Sequence, residues 1–382
     1  MQPPIYLDNN ATTPLAPSVI SAMTATLEIF GNPSSAHSAG EPAREIVENA
    51  RKSVAKLVGA ANLTEIVFTS GGTESDNWAI LGALESQPGK DHIVTTRVEH
   101  EAVRKLCEKL ESRGTRVSWI DVNEKGSLDL DQLRDSLDSN TAVVSVMMAN
   151  NETGVIFPIE EIAAIVKQNS DALFHVDAVN AAGKMLIDAE RMRIDLMSLS
   201  AHKFRGPKGV GALYIRDGVA LPSVQVGGGQ ERGRRAGTEA VHQIAGLGAA
   251  AELAADVTPM EDIRRLRDKL ESSILERFDI ASVNGDVNSR LPNTSNVSFE
   301  NLNGEMILHY LDEAGICVST GSACNSESKV SSPVLAAMNV AYSKTMGSIR
   351  FSLGRGNTED EISRTLSALG ELIPKLRNIS GI

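Results

Sequence analysis

Between residues 65 and 200 apolar runs with strand patterning alternate with stretches of helical spacing, and this alternation narrows the available folds more than any other feature of the chain. Strand-like runs occupy 65–69, 92–96, 116–122, 142–149, 173–177 and 194–200. Helical patterns lie near 100–112, 130–138 and 159–169, and another begins near Glu74. Strands joined through helices run parallel, so the expected architecture is α/β, with a mostly parallel sheet covered by helices. Ahead of it, Ile46, Ala50, Val54 and Leu57 recur at helical spacing, and Gly59 stands where a left-handed cap would end that helix.

A length of 382 residues exceeds one ordinary core and calls for at least two. The Gly-rich stretch 227–237, an Ala-rich helical pattern over 239–255 and Pro259 place a boundary near residue 257. Beyond it a strand at Thr294–Phe299, a helix at Gly304–Glu313 and a strand near 349–353 suggest a smaller α+β domain. The expected division is a large domain over 15–257 and a small one made of 1–14 and 258–382, which carries Cys324.

Lys and Arg number 37 against 49 Asp and Glu, a net charge of −12 that argues against direct nucleic-acid binding. Three cysteines, Cys107, Cys317 and Cys324, form neither a disulfide framework nor a paired zinc motif, as expected for a reducing cytoplasm. The N-terminus shows no signal-peptide pattern, and no run reaches about 18 apolar residues, so no membrane association is expected.

Ligands of open α/β sheets bind beyond the carboxyl ends of the strands, and the unusual polar residues fall there. Gly71, Gly72 and Thr73 follow the first strand, where backbone N–H groups at a helix start suit a phosphate; a tight turn is the plain alternative. Asp177 ends an apolar strand, where it either caps the next turn or holds a proton on a heteroaromatic nitrogen. Lys203, in Ser200-Ala-His-Lys203, follows another strand and suits Schiff-base chemistry, although an isolated lysine is usually a solvated charge. Together these describe a pyridoxal phosphate site. His100 fits a helix cap or a group stacked on such a ring, and His37, His175, Asp177 and His202 leave a metal reading open.

Cys324 stands in a small, polar stretch, 319–328, that suits a mobile reactive thiol, whereas Cys107 and Cys317 have the apolar neighbours of structural cysteines. Arg232, Arg234 and Arg235 form a short basic cluster, read as a solvated turn or as a phosphate or partner contact. Arg350, inside an apolar strand pattern, needs a carboxylate partner, and a substrate carboxylate is one candidate.

Nearly the whole chain resembles the cysteine desulfurases of the NifS/IscS group, pyridoxal-phosphate enzymes of fold type I akin to class-V aminotransferases. The resemblance rests on Tyr6-Leu-Asp-Asn-Asn-Ala-Thr-Thr13, Gly31-Asn-Pro-Ser-Ser35, Thr69-Ser-Gly-Gly-Thr-Glu-Ser-Asp-Asn77, Asn150-Asn-Glu-Thr-Gly154 and His175-Val-Asp-Ala178. It continues through Ser200-Ala-His-Lys203, Gly227-Gly-Gly-Gln-Glu231, Arg235-Ala-Gly-Thr238 and Gly321-Ser-Ala-Cys324.

By resemblance, Lys203 binds pyridoxal 5′-phosphate covalently, Asp177 pairs with its ring nitrogen and His100 stacks on the ring. Gly72, Thr73, Ser200 and His202 hold the phosphate, together with Thr238 of the partner subunit in a homodimer. Asn151 and Arg350 take the substrate carboxylate, and Cys324 accepts the sulfur. Many relatives carry Gln where this chain has Asn180, one methylene shorter, which leaves its contact with the ring hydroxyl either lost or bridged by water. The implied reaction converts L-cysteine to L-alanine, with sulfur held on Cys324 as a persulfide for an IscU/NifU-like scaffold of iron–sulfur cluster assembly or for another thiolation acceptor. The alternatives are a selenocysteine lyase, an aminotransferase-like enzyme, a non-enzymatic sulfur relay and, on the metal reading, a metal hydrolase.

Overall fold

The computed structural model describes residues 3–320 and 332–380. A two-residue strand, β1 (Ile5–Tyr6), is followed by β2 (Ile66–Thr69), β3 (His92–Thr96), β4 (Arg116–Ile120), β5 (Thr141–Met147), β6 (Leu173–Asp177), β7 (Leu196–Ser200) and β8 (Gly211–Ile215). The last seven form one sheet in the order β2-β8-β7-β6-β5-β3-β4. From β4 to β7 every neighbouring pair is parallel. Only β8 runs against its neighbours β2 and β7. Two reversals cancel, so β2 points the same way as β7, and the carboxyl ends of β2, β3, β5, β6 and β7 share one edge of the sheet. The sheet is therefore mostly parallel, as the alternation implied, and the five polar loops meet where that rule placed them.

Strands β2, β3, β5, β7 and β8 are buried along their whole length, which is why they read as continuous apolar runs. Helices cover the faces. Gly59 ends the helix Glu41–Val58 in the left-handed conformation expected of it. This helix crosses Val241–Ala254 so closely that a Cβ on Gly248 would stand 2.6 Å from Ala50 Cα.

The rest of the chain builds β9 (Ala281–Val283), β10 (Thr294–Phe299), β11 (Ile316–Cys317) and β12 (Ser348–Ser352). β10 pairs antiparallel with β12 and β9, and β11 pairs in parallel with β1. Their core joins Ile5 and Leu7 to Leu270, Phe299, Phe351 and Ile373. The larger core takes in Val334, Leu335 and Met338 from well beyond residue 257. Ser332 explains this crossing: its Oγ accepts from Leu335 N at 3.1 Å, capping the short helix Pro333–Ala337, and donates to Glu152 Oε2 at 2.5 Å. That pair fastens the short helix to the loop after β5. Among the described residues, no helix is long and apolar enough to cross a membrane.

Candidate active site

At the end of β2 the chain turns through Gly71 into the helix Gly72–Ser86, which has no side-chain cap on its first N–H groups. An uncapped helix start with its positive dipole end is a natural seat for a dianion. A Cβ on Gly72 would come within 2.8 Å of Val179 Cγ2, so the cradle is shaped by the turn after β6 and needs glycine there. Thr73 follows in the first helical turn, and the buried Ser200 ends β7 beside Gly71.

Asp177 is the last residue of β6, and its Oδ1 accepts from Val179 N at 2.9 Å. The local turn read for Asp177 is thus present, without excluding the carboxylate from ligand chemistry. Burial raises its carboxyl, while His100, the Val179 N–H and Lys203 oppose the shift. His100 caps the helix Glu101–Glu111, its Nδ1 accepting from Ala102 N at 3.1 Å. That bond fixes the tautomer, leaving Nε2 to carry the proton. Burial lowers the His100 pKa, with Asp177 pulling the other way.

Lys203 closes the single turn Ala201–Lys203 after β7, and its Nζ donates to the carbonyl of Asn10 at 2.5 Å. The 10–13 segment is strapped over this turn: Thr13 N and Oγ1 both donate to the His202 carbonyl, at 2.9 and 2.8 Å. His202 Nδ1 lies 3.1 Å from Thr12 Oγ1, and burial pushes its pKa down to about 4, so it is neutral at physiological pH.

Arg350 on β12 is 5% exposed. Its Nη2 donates to Asp8 Oδ1 at 2.7 Å and its Nη1 to the Asn151 carbonyl at 3.0 Å, while Nε has no partner in the described structure. The carboxylate that the sequence demanded for it is Asp8. Asn151 lies in a turn pinned by Asn150, whose Oδ1 accepts from Glu152 N and Thr153 N, both at 2.9 Å. Asn180 donates to the Asn150 carbonyl at 3.2 Å and accepts from Lys184 Nζ at 2.7 Å. Its amide is thus engaged on both sides by the protein itself.

Thr238 is exposed, on the rim of a cavity of about 70 Å³ that also borders Ser70, and does not join the buried residues at the strand ends. In the basic cluster, Arg235 forms a two-pronged pair with Glu74 at 2.8 and 3.0 Å and Arg234 donates to the Thr64 carbonyl at 2.5 Å, so both have structural partners. Cys107 is buried, and burial pushes its thiol up to about 12; burial also raises the half-buried Cys317. Neither is activated. Cys324 lies outside the described residues.

Several participants escaped the sequence reading. Asn10 Oδ1 accepts from Lys184 Nζ at 2.9 Å and from Asn293 Nδ2 at 3.0 Å, so one residue serves two lysines, through its side chain and its carbonyl. Beneath Asp177 lie two further buried carboxyls, Asp76 and Glu99. Burial, then Asp177, drives Asp76 well up, and burial raises Glu99 to about 8. Three such groups cannot all ionise together. Of the three, Asp177 is the one whose rise is opposed by the cations His100 and Lys203. The only advance signal was their position, in the motif after β2 and just before His100.

His175 is held between Ser145 Oγ, 2.8 Å from Nδ1, and Ser198 Oγ, 2.9 Å from Nε2. Among the described residues no three His, Cys, Asp or Glu side chains gather as a metal site. An uncapped helix start, a buried carboxylate, a helix-cap histidine and a strand-end lysine are residues of the kind that fit pyridoxal phosphate.

The aminotransferase class-V family model matches residues 5–365. A cysteine desulfurase of Nostoc sp. is 50% identical over 379 residues, covering 98% of this chain and 94% of its own. The cysteine desulfurase NifS of Azotobacter vinelandii is 48% identical over 379 residues, with the same coverage of 98% and 94%. A solved NifS-like protein superposes with a TM-score of 0.92 at 39% identity, covering 98% of this chain and 100% of that one. With its sheet order, its strand-end lysine and its near full-length match in agreement, the chain belongs to the aminotransferase class-V family, among the enzymes similar to NifS.

Proposed function

We propose that the protein is a cysteine desulfurase dependent on pyridoxal 5′-phosphate, which converts L-cysteine to L-alanine and carries the sulfur on Cys324. The observation that carries this reading is the Arg350 fork and the Asn151 turn brought beside the Lys203–Asp177 pair, a carboxylate receiver next to an amine and its counter-charge. When bound, the cofactor withdraws electrons from the α-carbon of the amino acid attached to it.

Gly72, Thr73, Ser200 and His202 would hold the phosphate, and Asp177 would hold a proton on the ring nitrogen, with burial driving its neighbours Asp76 and Glu99 towards their neutral forms. Lys203 Nζ, oriented by the Asn10 carbonyl, takes the α-proton. His100, with Nδ1 fixed by Ala102 N, would stack on the ring with its Nε2 free to exchange a proton. Arg350 exchanges contacts for the substrate carboxylate, and Asn151 closes on it. The Cys324 thiolate attacks the substrate sulfur: an S–S bond forms, the substrate C–S bond breaks, and its electron pair with a proton completes alanine. Asn180, held by Lys184, would reach the ring hydroxyl only through a bridging water.

Two domains, 15–257 and 1–14 with 258–382, form the working unit, with the substrate between them. Phe30 at 90% and Val226 at 87% exposure support a homodimer, in which Thr238 serves the partner's phosphate site. The persulfide passes to an IscU/NifU-like scaffold in the cytoplasm. Purified protein with pyridoxal phosphate, L-cysteine and a thiol reductant should release alanine and sulfide in equal amounts. Cys324→Ala should abolish this and keep the yellow cofactor. Native-rate release from that variant, or a colourless protein unable to take the cofactor, would refute the reading.

A further inference from the structure

Behind the Lys203 turn, between the two cores, lies a cavity of about 260 Å³. His100, Asp177, Ser200, Asn151 and Arg350 do not line it; of the proposed active-site residues, only Lys203 borders it, so it opens on the far side of the 10–13 strap. Phe204, Leu253, Ala254, Met260 and Leu353 make apolar walls.

Its charges are unbalanced. Arg205 and Arg355 border the cavity with one carboxylate, Glu361, while the two lysines that also border it, Lys184 and Lys203, turn their amines to Asn10. Glu361 Oε2 is already engaged by Asn357 Nδ2 at 3.1 Å and Thr358 N at 3.0 Å. Among the described residues neither Arg205 nor Arg355 forms a salt bridge, and the Arg205 guanidinium makes no hydrogen bond. Arg355 donates to the Asp256 carbonyl; burial lowers its pKa, the Asp256 carboxylate opposes this, and Arg205 adds a smaller push downward. Two half-buried guanidiniums that border one apolar cavity without a salt bridge are stabilised by an anion shared between them.

We propose that this cavity binds a small organic anion, a carboxylate attached to a body of one ring and a short chain. The size follows from volume, since a cavity of about 150 Å³ suffices for benzene. The remaining space takes a two-carbon spacer and a carboxylate aimed at Arg205 and Arg355.

The test is calorimetric titration of the holoenzyme with 3-phenylpropionate and with its neutral counterpart 3-phenylpropan-1-ol. The acid should bind saturably, one per chain, and the alcohol roughly tenfold or more weakly. Arg205→Gln and Arg355→Gln should each weaken the acid about tenfold, the loss of one charge-assisted hydrogen bond. Arg350→Ala, in the other site, should leave its binding unchanged. Leu253→Trp, which fills the cavity without altering charge, should abolish binding and serves if an arginine variant fails to fold. The proposal is overturned by absent saturation, by equal binding of acid and alcohol, by binding that survives both arginine substitutions, or by loss of binding in Arg350→Ala.

Discussion

Lys184 Nζ donates to Asn180 Oδ1 over 2.7 Å, so the amide assigned to the cofactor ring hydroxyl is steered by a buried amine. Burial, with Lys203 and Arg350 nearby, holds the Lys184 pKa well below that of an ordinary lysine. A lysine depressed in the folded state binds fewer protons than in the unfolded chain, so its penalty eases as pH rises from that low value towards about 10.4. Thermal melts should show wild type gaining stability across that alkaline window and Lys184→Met lacking the gain. Asn10 and Asn180 also lose a donor in the variant, a cost of about 2 kcal/mol that at neutral pH is set against the relieved penalty of the buried amine. An identical alkaline slope in both proteins would refute the buried neutral amine.

Glu99 makes the opposite prediction for acid. Its Oε1 accepts from Thr96 Oγ1 at 2.7 Å and Met147 N at 3.0 Å, and its other oxygen has no partner among the described residues. With burial raising the group to about 8, its contribution to stability is complete below the unfolded value of about 4.3 and is lost as pH climbs through about 8. Denaturant titrations of Glu99→Gln should lack that decline. A decline as steep as in wild type would mean that Glu99 is ionised throughout.

The Gly-rich loop is anchored by Glu231, which takes Arg51 Nη1 at 2.8 Å and Nη2 at 2.9 Å while accepting from Phe68 N at 3.0 Å. Glu231→Ala leaves Arg51 buried beside the Phe68 ring with only Glu48, 3.1 Å from its Nε and partly exposed, as counter-ion, which costs about 3 kcal/mol. Equilibrium unfolding that shows less than about 1 kcal/mol would place the pair among surface ion pairs.

For the substrate, Arg350→Lys keeps the charge and removes the fork that spans Asp8 and the Asn151 turn. KM for L-cysteine should rise roughly 10- to 100-fold, one to two charge-assisted hydrogen bonds, with a smaller change in kcat. An unchanged KM would remove Arg350 from substrate binding.

Strands of the parallel sheet were legible because burial on both faces leaves continuous apolar runs, as in His92–Thr96 and Thr141–Met147. β8 was not read, because Gly211-Ala-Leu-Tyr-Ile is short and lies among turn signals rather than between two helices. β1 and β11 were illegible for a simpler reason: each has two residues and exists only through its partner. At the site, strand-end residues such as Asp177 and Lys203 stood out against apolar neighbours. Asn10 did not, since its importance lies in contacts with Lys184, Asn293 and the Asn151 carbonyl, all distant in sequence. The boundary near 257 likewise could not foresee that Ser332 would bind Glu152 across it.

The pairing of Ile5 with Ile316, extended by Asn9 N donating to the Ser352 carbonyl at 3.0 Å, has a consequence for biosynthesis. At translation rates of about 5–20 residues per second, the first strand leaves the ribosome roughly 15–60 s before its partner exists. During that interval the sheet can form from residues already made, while Ile5 and Leu7 stay exposed to chaperones. Asn10, which orients Lys203, belongs to that waiting segment, so the nascent chain acquires its core well before it acquires a correctly held lysine.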